Sequence, residues 1–483
     1  MPDLDRRHQM AILAICCCGL FIVGLDNTIV NLALPSIGQE LHASVSSMQW
    51  VIDAYTLVLA SLLMLAGSTG DRIGRRRVFQ TGLVLFSLGS LLCSVAPSIG
   101  WLIAFRMLQA VGGSMLNPVA LSIITNTFTD RRERAKAIGV WGAVVGLSWA
   151  LGPLVGGALV DSIGWRSVFW VNVPIGVVAV LLAARFVPES RAARARPLDP
   201  VGQLLLMALL ATLTYAIIEA PGFGLRSPVI IGCFVVAVAA AAAFVGYEKH
   251  QDQPLLDMRF FASVPFTGAS LIAVSSFAVM VGFLFLNALY LQEVRGFSPL
   301  HAGLLTLPMA AMTAVLAPVS GRIVGSRGPR LPMVTGGVAI AAGSFLLSGL
   351  TANSSYGAVI LAYAVFGVGF GFINPPITNA AVSGMPASRA GVAAAVASTS
   401  RQVGATLGVA VLGSVVTARI VGPLSTGFVV AAHLGWLIMT GAGVAIFVLG
   451  LVTTSKWALR TAQVFDEGPD DRAAAAGALT GAR

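Results

Sequence analysis

The sequence predicts an all-α polytopic membrane protein, and three observations carry that class. Hydrophobic residues make up 57% of the 483-residue chain and charged residues only 10%, against about 25% charged residues in soluble domains. The apolar residues fall into fourteen runs, each near or above the ~20 residues that a helix needs to cross the hydrocarbon core of a bilayer. The basic residues gather in alternate intervals between those runs. Lipid admits only helices and closed barrels as spanning structures. The runs are continuous rather than alternating, which selects helices.

In chain order the runs cover residues 10–34, 47–66, 77–96, 100–124, 135–160, 167–187, 199–219, 228–247, 265–291, 299–321, 331–350, 356–381, 389–417 and 428–453. The first is longer than the apolar core of a secretory signal and is not followed by a small-residue cleavage site, so it reads as a span. Runs 2 and 3 enclose a short turn, Gly67-Ser-Thr-Gly-Asp-Arg-Ile-Gly-Arg-Arg-Arg77. Run 5 carries a comb of small residues, Gly142, Gly146, Gly152, Pro153, Gly156 and Gly157. Glycines at such spacing let helices approach closely, and the proline bends the helix. Residues 188–197 form a short basic linker after run 6. Residues 247–263 are polar to amphipathic and suit the membrane surface. The alanine-rich polar tail, 456–483, reads as disordered.

The charge distribution orients the chain. An even number of spans puts both termini on one side. The termini and the intervals after runs 2, 4, 6, 8, 10 and 12 hold 24 of the 30 lysines and arginines. The opposite intervals hold Arg166, Arg226, Arg295 and Arg419, while Arg106 and Arg401 lie inside spans. The positive-inside rule then places both termini in the cytoplasm of a multi-pass protein of the cytoplasmic membrane. A formal charge of +10 distributed in this way argues against a nucleic-acid partner. All five cysteines fall within apolar runs and suggest neither disulfides nor a metal site. The sequence has no phosphate-binding Gly-x-x-x-x-Gly-Lys-[Ser/Thr] loop and no His-Glu-x-x-His motif, so neither an ATPase motor nor an enzyme centre is expected.

The chain repeats itself. Val111-Gly-Gly-Ser-Met-Leu-Asn-Pro118 returns as Val368-Gly-Phe-Gly-Phe-Ile-Asn-Pro375, 257 residues later. The basic turn has an echo in Gly321-Arg-Ile-Val-Gly-Ser-Arg-Gly-Pro-Arg330, with Arg322 where the first copy has Asp71. Two related halves point to a transporter with a site between them near mid-membrane. The division expected is a six-helix bundle over 1–187, a linker with two inserted helices over 188–263, a second six-helix bundle over 264–455, and the tail.

Ionisable groups within spans are costly and mark function by default. Asp26 lies in run 1, Asp53 near the end of run 2, Arg106 in run 4 and Arg401 in run 13. Two readings of Asp26 are open. It is a carboxyl that binds and releases protons as access changes, tuned by Arg106, or it is half of a fixed ion pair that only joins helices. Asp53 is either a second proton site or a solvated group near the membrane interface.

Several motifs together resemble the major facilitator superfamily, and within it the fourteen-helix drug:proton antiporters of the QacA/EmrB type. Gly67, Asp71, Arg72, Gly74, Arg75 and Arg76 match that superfamily's loop between helices 2 and 3. Leu25-Asp26-x-Thr28-x-Val30-Asn31-x-Ala33-Leu34-Pro35 is similar to the antiporters' first helix, and Trp50 to Leu57, with Asp53 and Tyr55, to their second. Arg106-x-x-Gln109 with Gly112 resembles the helix-4 motif linked to proton coupling, with Ala110 in place of a usual glycine. Gly152-Pro153 sits where the helix-5 antiporter motif has its Gly-Pro. Trp165-Arg166 with Phe169, Asn172 and Pro174 resembles the start of helix 6, and Ser400-Arg401-Gln402 with Gly404 resembles helix 13.

The resemblance implies a major facilitator fold. It also implies export of amphipathic, often cationic drugs, antibiotics or natural products in exchange for entering protons, with the proton gradient and no cofactor as the energy source. Asp26, Arg106 and Asp53 are the expected proton-coupling groups. Asn31, Trp50, Tyr55, Gln109, Asn117, Asn287, Tyr290, Asn374 and Arg401 are the expected lining of a substrate cavity. Asp71 is expected to latch an inner gate by pairing with the start of helix 13 near Ser388 and with arginines nearby. The alternatives are a secondary importer or facilitator of a small solute, and a lipid-handling or sensing membrane protein without drug flux.

Overall fold

A computed structural model describes residues 5–192, 199–251, 254, 256–383 and 390–462. Helices make up its regular structure throughout. The first six are α1 (Arg6–Glu40), α2 (Val45–Ile73), α3 (Arg75–Ser94), α4 (Ile99–Thr127), α5 (Arg131–Ser162) and α6 (Ser167–Phe186), which breaks for one residue at Val171. Next come α7 (Pro200–Phe223) and α8 (Pro228–Glu248). The chain continues through α9 (Val264–Leu289, winding on into a π turn over Tyr290–Val294), α10 (Pro299–Arg327), α11 (Arg330–Ser348), α12 (Tyr356–Val382), α13 (Ala390–Thr417) and α14 (Leu424–Thr453). Among the described residues, 13 helices are long and apolar enough to cross a membrane; α13, 28 residues long, is not one of these.

Local chemistry sets the helix starts. Ser44, Asp130, Asp199, Ser298 and Ser355 each accept a hydrogen bond from a backbone N–H in the first turn that follows, satisfying donors that have no helical partner. Proline opens α7, α8 and α10 within the first two positions, where no N–H is needed. Large apolar side chains such as Trp101, Leu204, Val238 and Phe345 are more than half exposed on the outside, as suits a lipid-facing surface.

The tail departs from expectation. Residues 456–462 form a short helix, α15 (Lys456–Ala462), capped by Ser455. Its Thr461 hydroxyl accepts from the Val264 N–H at 2.9 Å, tying it to the start of α9. Good helix formers and a cap explain the difference. Residues 463–483 lie outside the described set.

The repeat is visible in the packing. Helix pairs α3–α4, α1–α5, α2–α4 and α3–α6 recur as α11–α12, α9–α13, α10–α12 and α11–α14, each shifted by eight helices. Between the two sets, α5 packs on α10 and α2 on α13, and these two contacts are equivalent under the same shift. The pair α7–α8 is added beside them. α7 touches both α2 and α13, so it lies along one of the seams where the two sets of six helices meet.

That meeting is one-sided. The 67–77 loop marks one end of the molecule, the loop end. Among the described residues, every hydrogen bond between the two sets lies toward the far end. Gln39 bonds Glu293, Gln292 bonds the Leu32 carbonyl at 3.0 Å, Gln49 bonds the Val409 and Ala410 carbonyls, and Thr406 bonds Thr56. The cores agree. One buried cluster joins the far halves of α1 and α2 to α9, α12 and α13. A second, in the loop half of the first six helices, contains no residue from the last six, and a small third one packs Val403 of α13 on Leu57 and Ala60 of α2 near mid-span. The two bundles therefore close on each other at the far end and part at the loop end.

Candidate functional site

The first site is a sealed polar network in the first bundle. Arg106 Nη1 donates to Asp26 Oδ2 at 2.5 Å and to Gln109 Oε1 at 2.6 Å. Gln109 Nε2 donates to Asp26 Oδ1 at 2.9 Å and to Ser90 Oγ at 2.7 Å. Asn172 Nδ2 reaches Asp26 Oδ1 at 3.2 Å. Arg106 Nε donates to the Val51 carbonyl at 3.1 Å, and its guanidinium carbon lies 4.0 Å from the centre of the Tyr55 ring. Five helices contribute, and none of Asp26, Ser90, Arg106, Gln109 and Asn172 is more than 1% exposed.

The sequence builds this site locally. Arg106 and Gln109 are three residues apart and share one face of α4. Gly89 lets α3 approach that face, since a Cβ there would stand 2.6 Å from the Gln109 Cα. The break at Val171 starts a new helical segment at Asn172, which turns its amide toward Asp26. A buried charge needs both a counter-ion and hydrogen bonds, and Asp26 has both.

The second bundle holds a neutral counterpart. The 257-residue offset carries Arg106 onto Tyr363. The Tyr363 hydroxyl donates to Asn287 Oδ1, again joining the first and fourth helices of a bundle, and both residues are buried. The same two helices of the bundle are joined, by a pair one helical turn away from the position of Asp26 and without charge.

Asp53 is 0% exposed and neither of its oxygens has a hydrogen-bond partner. It faces the α2–α13 seam, between Gln49 and Thr56, which both bond α13. The solvated reading is thus overturned for this conformation, because α13 covers the position.

The candidate cavity residues divide. Gln109 and Tyr55 belong to the Asp26–Arg106 network. Trp50 donates to Glu219 Oε1 of α7 at 2.8 Å, Tyr290 bonds the Thr351 carbonyl at the far end, and Asn31 bonds the Asn27 carbonyl within its own helix. Asn117, Asn374 and Arg401 remain partly exposed in mid-span. The glycine comb also divides. Gly152, Gly156 and Gly157 pack against Thr28, Ile29 and the start of α10, whereas Gly142 and Gly146 have open space where a Cβ would stand. Tight packing thus holds only for the far part of the comb, because the bundles have parted beside the rest.

The 67–77 loop is pinned to the segment after α6. Asp71 accepts from Arg75 Nη2 at 2.8 Å and Nε at 3.1 Å. The Arg75 N–H donates to the Ser190 carbonyl, the Arg76 N–H to Glu189 Oε1, and the Ala192 N–H to the Asp71 carbonyl. Gly67 and Gly70 face Pro118 and Val119 of α4, and Arg72 is exposed. The partner expected for Asp71, near Ser388, lies outside the described residues. Ser90 and the Pro188–Ala192 contact left no signal in the sequence. Asn172 stood in a matched motif without an assigned role.

Two helical bundles related by an internal repeat, closed at one end and holding a sealed ion pair, define a membrane transporter. The model of the Major Facilitator Superfamily matches residues 16–409, and the chain belongs to that family. It is 36% identical over 413 residues to the multidrug resistance protein Stp of Mycobacterium tuberculosis, covering 86% of this chain and 77% of that protein. It is 37% identical over 403 residues to the tetracenomycin C resistance and export protein of Streptomyces glaucescens, covering 83% and 75%. It is 36% identical over 419 residues to the multidrug efflux pump LfrA of Mycolicibacterium smegmatis, covering 86% and 83%. Among solved structures, a bacterial homologue of the human lysosomal transporter Spinster, inward-facing and occupied, shares the fold at a TM-score of 0.68 and 18% identity over 96% of this chain and 100% of that one.

Proposed function

We propose that this protein is a proton-coupled exporter of amphipathic drugs, antibiotics or natural products, of the fourteen-helix drug:proton antiporter type. One observation carries the proton half of the reading: an ion pair, Asp26–Arg106, sealed inside the membrane-spanning part of the first bundle. The names of the relatives support the export half. The charge bias assigns the loop end and both termini to the cytoplasm, so the gap faces the side from which an exporter loads.

The geometry supplies a coupling device. With Asp26 ionised, its oxygens take bonds from Arg106, Gln109 and Asn172, and these hold α1, α4 and α6 together. A proton on Asp26 cancels the charge that Arg106 faces and withdraws an acceptor from the network. Arg106 then keeps Val51, Tyr55 and Gln109 as partners. Each protonation state thus favours a different packing of α1 against α4. Asp53 is the second coupling carboxyl, because only opening of the α2–α13 seam gives it water. Segments 1–187 and 264–455 are the moving bundles, joined through 188–263, and 456–483 is the tail.

The test is uptake into proteoliposomes carrying an inside-acid pH gradient, with the cationic dye rhodamine 6G and the anionic dye fluorescein as probes. Uptake of at least one dye that a protonophore abolishes is expected. Movement of both dyes at the same rate with and without the gradient would instead indicate a facilitator.

A further inference from the structure

Arg401 differs from the other mid-span charges. Asp26 and Arg106 neutralise each other in a sealed network, and Asp53 is sealed in the α2–α13 seam. Arg401 is partly exposed and takes part in none of the ion pairs among the described residues. Its Nη2 donates to Thr378 Oγ1 at 2.6 Å, its Nε has no partner, and its guanidinium carbon lies 5.8 Å from the centre of the Phe277 ring. A guanidinium carries five N–H donors in a fork. One hydroxyl and one ring face leave most of that capacity unused.

Two further observations say what would use it. First, the surroundings are flat and aromatic. Phe277 lies 5.3 Å from Phe370 and 5.8 Å from Trp149, and the Trp149 and Phe370 rings are within 20° of parallel. Trp149 comes from α5 and the two phenylalanines come from α9 and α12, so the cluster bridges the two bundles. Second, the second bundle offers no charge for a cation. From residue 258 to residue 465 the sequence contains one acidic residue, Glu293, and that carboxylate lies at the far end against Gln39.

We infer that Arg401 anchors an acidic group, a carboxylate or ionised phenol, carried by a planar aromatic substrate whose ring lies against Trp149, Phe277 and Phe370. The inference rests on the export reading and names its substrate class. It also runs against the cationic drugs that the family resemblance suggested. Arginine matches a carboxylate or phenolate with directed hydrogen bonds, and a position in mid-span, away from bulk water, screens the attraction less than the surface does.

The test is binding of two xanthene dyes of opposite charge to purified full-length protein, read by fluorescence polarisation without a gradient. Wild type is expected to bind fluorescein at least tenfold tighter than rhodamine 6G. Arg401→Gln should weaken fluorescein at least tenfold and move rhodamine 6G less than twofold. Arg401→Lys should fall between wild type and Gln for fluorescein. Trp149→Ala should weaken both dyes alike. Rhodamine 6G binding as tightly as fluorescein to wild type would overturn the inference. So would no measurable fluorescein binding, or equal losses for both dyes in Arg401→Gln. The wild-type comparison decides even where a variant does not fold. Fluorescein binding without gradient-driven uptake of either dye would sink the export reading alone, whereas gradient-driven uptake with charge-blind binding would sink this site alone.

Discussion

Tyr55, Asp53 and Arg106 show how single residues carry the account. Tyr55 supplies a ring 4.0 Å beneath a buried guanidinium. A desolvated cation–π contact of this kind is worth about 2 kcal/mol. Tyr55→Leu should therefore lower the thermal midpoint of the purified protein relative to Tyr55→Phe, which keeps the ring and likewise removes the unpartnered hydroxyl, and equal midpoints would contradict that role. Asp53 makes the opposite case. Its carboxyl is buried in the closed seam with no partner, at a cost of about 1–3 kcal/mol for an unsatisfied buried polar group. Asp53→Leu should raise the thermal midpoint while slowing transport, because it favours the conformation with the far end closed. A lower midpoint together with normal transport would refute this. Arg106→Lys should cut gradient-driven uptake at least tenfold, since lysine cannot keep the bond to Val51 and the two bonds from Nη1 together.

At the scale of elements, the turn between α2 and α3 is the sharpest case. Gly74 has φ +128°, and a Cβ there would stand 2.6 Å from Glu189 Oε1. Gly74→Ala therefore meets both backbone strain, about 1–3 kcal/mol, and a clash with the residue that accepts from the Arg76 N–H. Loss of the contact with the 188–192 segment is expected, seen as faster proteolysis after Pro188. Unaltered cleavage would mean that this contact does not depend on the turn. This element also shows what a sequence tells and what it withholds. Thirteen of the spans, the turn and the pairing of Asp26 with Arg106 were legible, because hydropathy and in-span charge are local signals. The pairing of Asp71 with a nearby arginine was legible too, being an i,i+4 contact with Arg75, but the docking of Glu189 and Ser190 was not, because nothing local links positions 75 and 190. Gln109 read as cavity lining because a buried amide looks alike in a network and on a wall.

At the scale of the whole molecule, the far-end closure rests on close backbone contact between α5 and α10. A Cβ on Gly157 would stand 2.5 Å from the Pro299 carbonyl oxygen, and one on Gly303 would overlap the Pro153 carbonyl. Side chains at either position wedge the bundles apart. Gly303→Leu should open the far end, seen as labelling of a cysteine placed at Pro299 by a membrane-impermeant maleimide; labelling no greater than with Gly303 retained would contradict this closure. The repeat places chemistry unevenly across this moving body. The first bundle keeps the charged pair Asp26–Arg106, the second keeps Asn287–Tyr363, and Arg401 beside Phe277 in the second bundle has no ion pair among the described residues. In the proposed mechanism the proton site lies within the first bundle and the substrate site draws on both, with Trp149 from the first and Phe277, Phe370 and Arg401 from the second, so the two communicate through the bundles' relative position.

The central claim is that protonation of Asp26 couples the gradient to transport. The most direct measurement compares two modes of transport by Asp26→Asn in proteoliposomes, with Asp26→Glu as the carboxyl-retaining control. Gradient-driven uptake of a transported dye should vanish in the Asn variant, while exchange of labelled for unlabelled dye without a gradient persists, and the Glu variant should keep part of both. Gradient-driven uptake by Asp26→Asn at the wild-type rate would contradict the account.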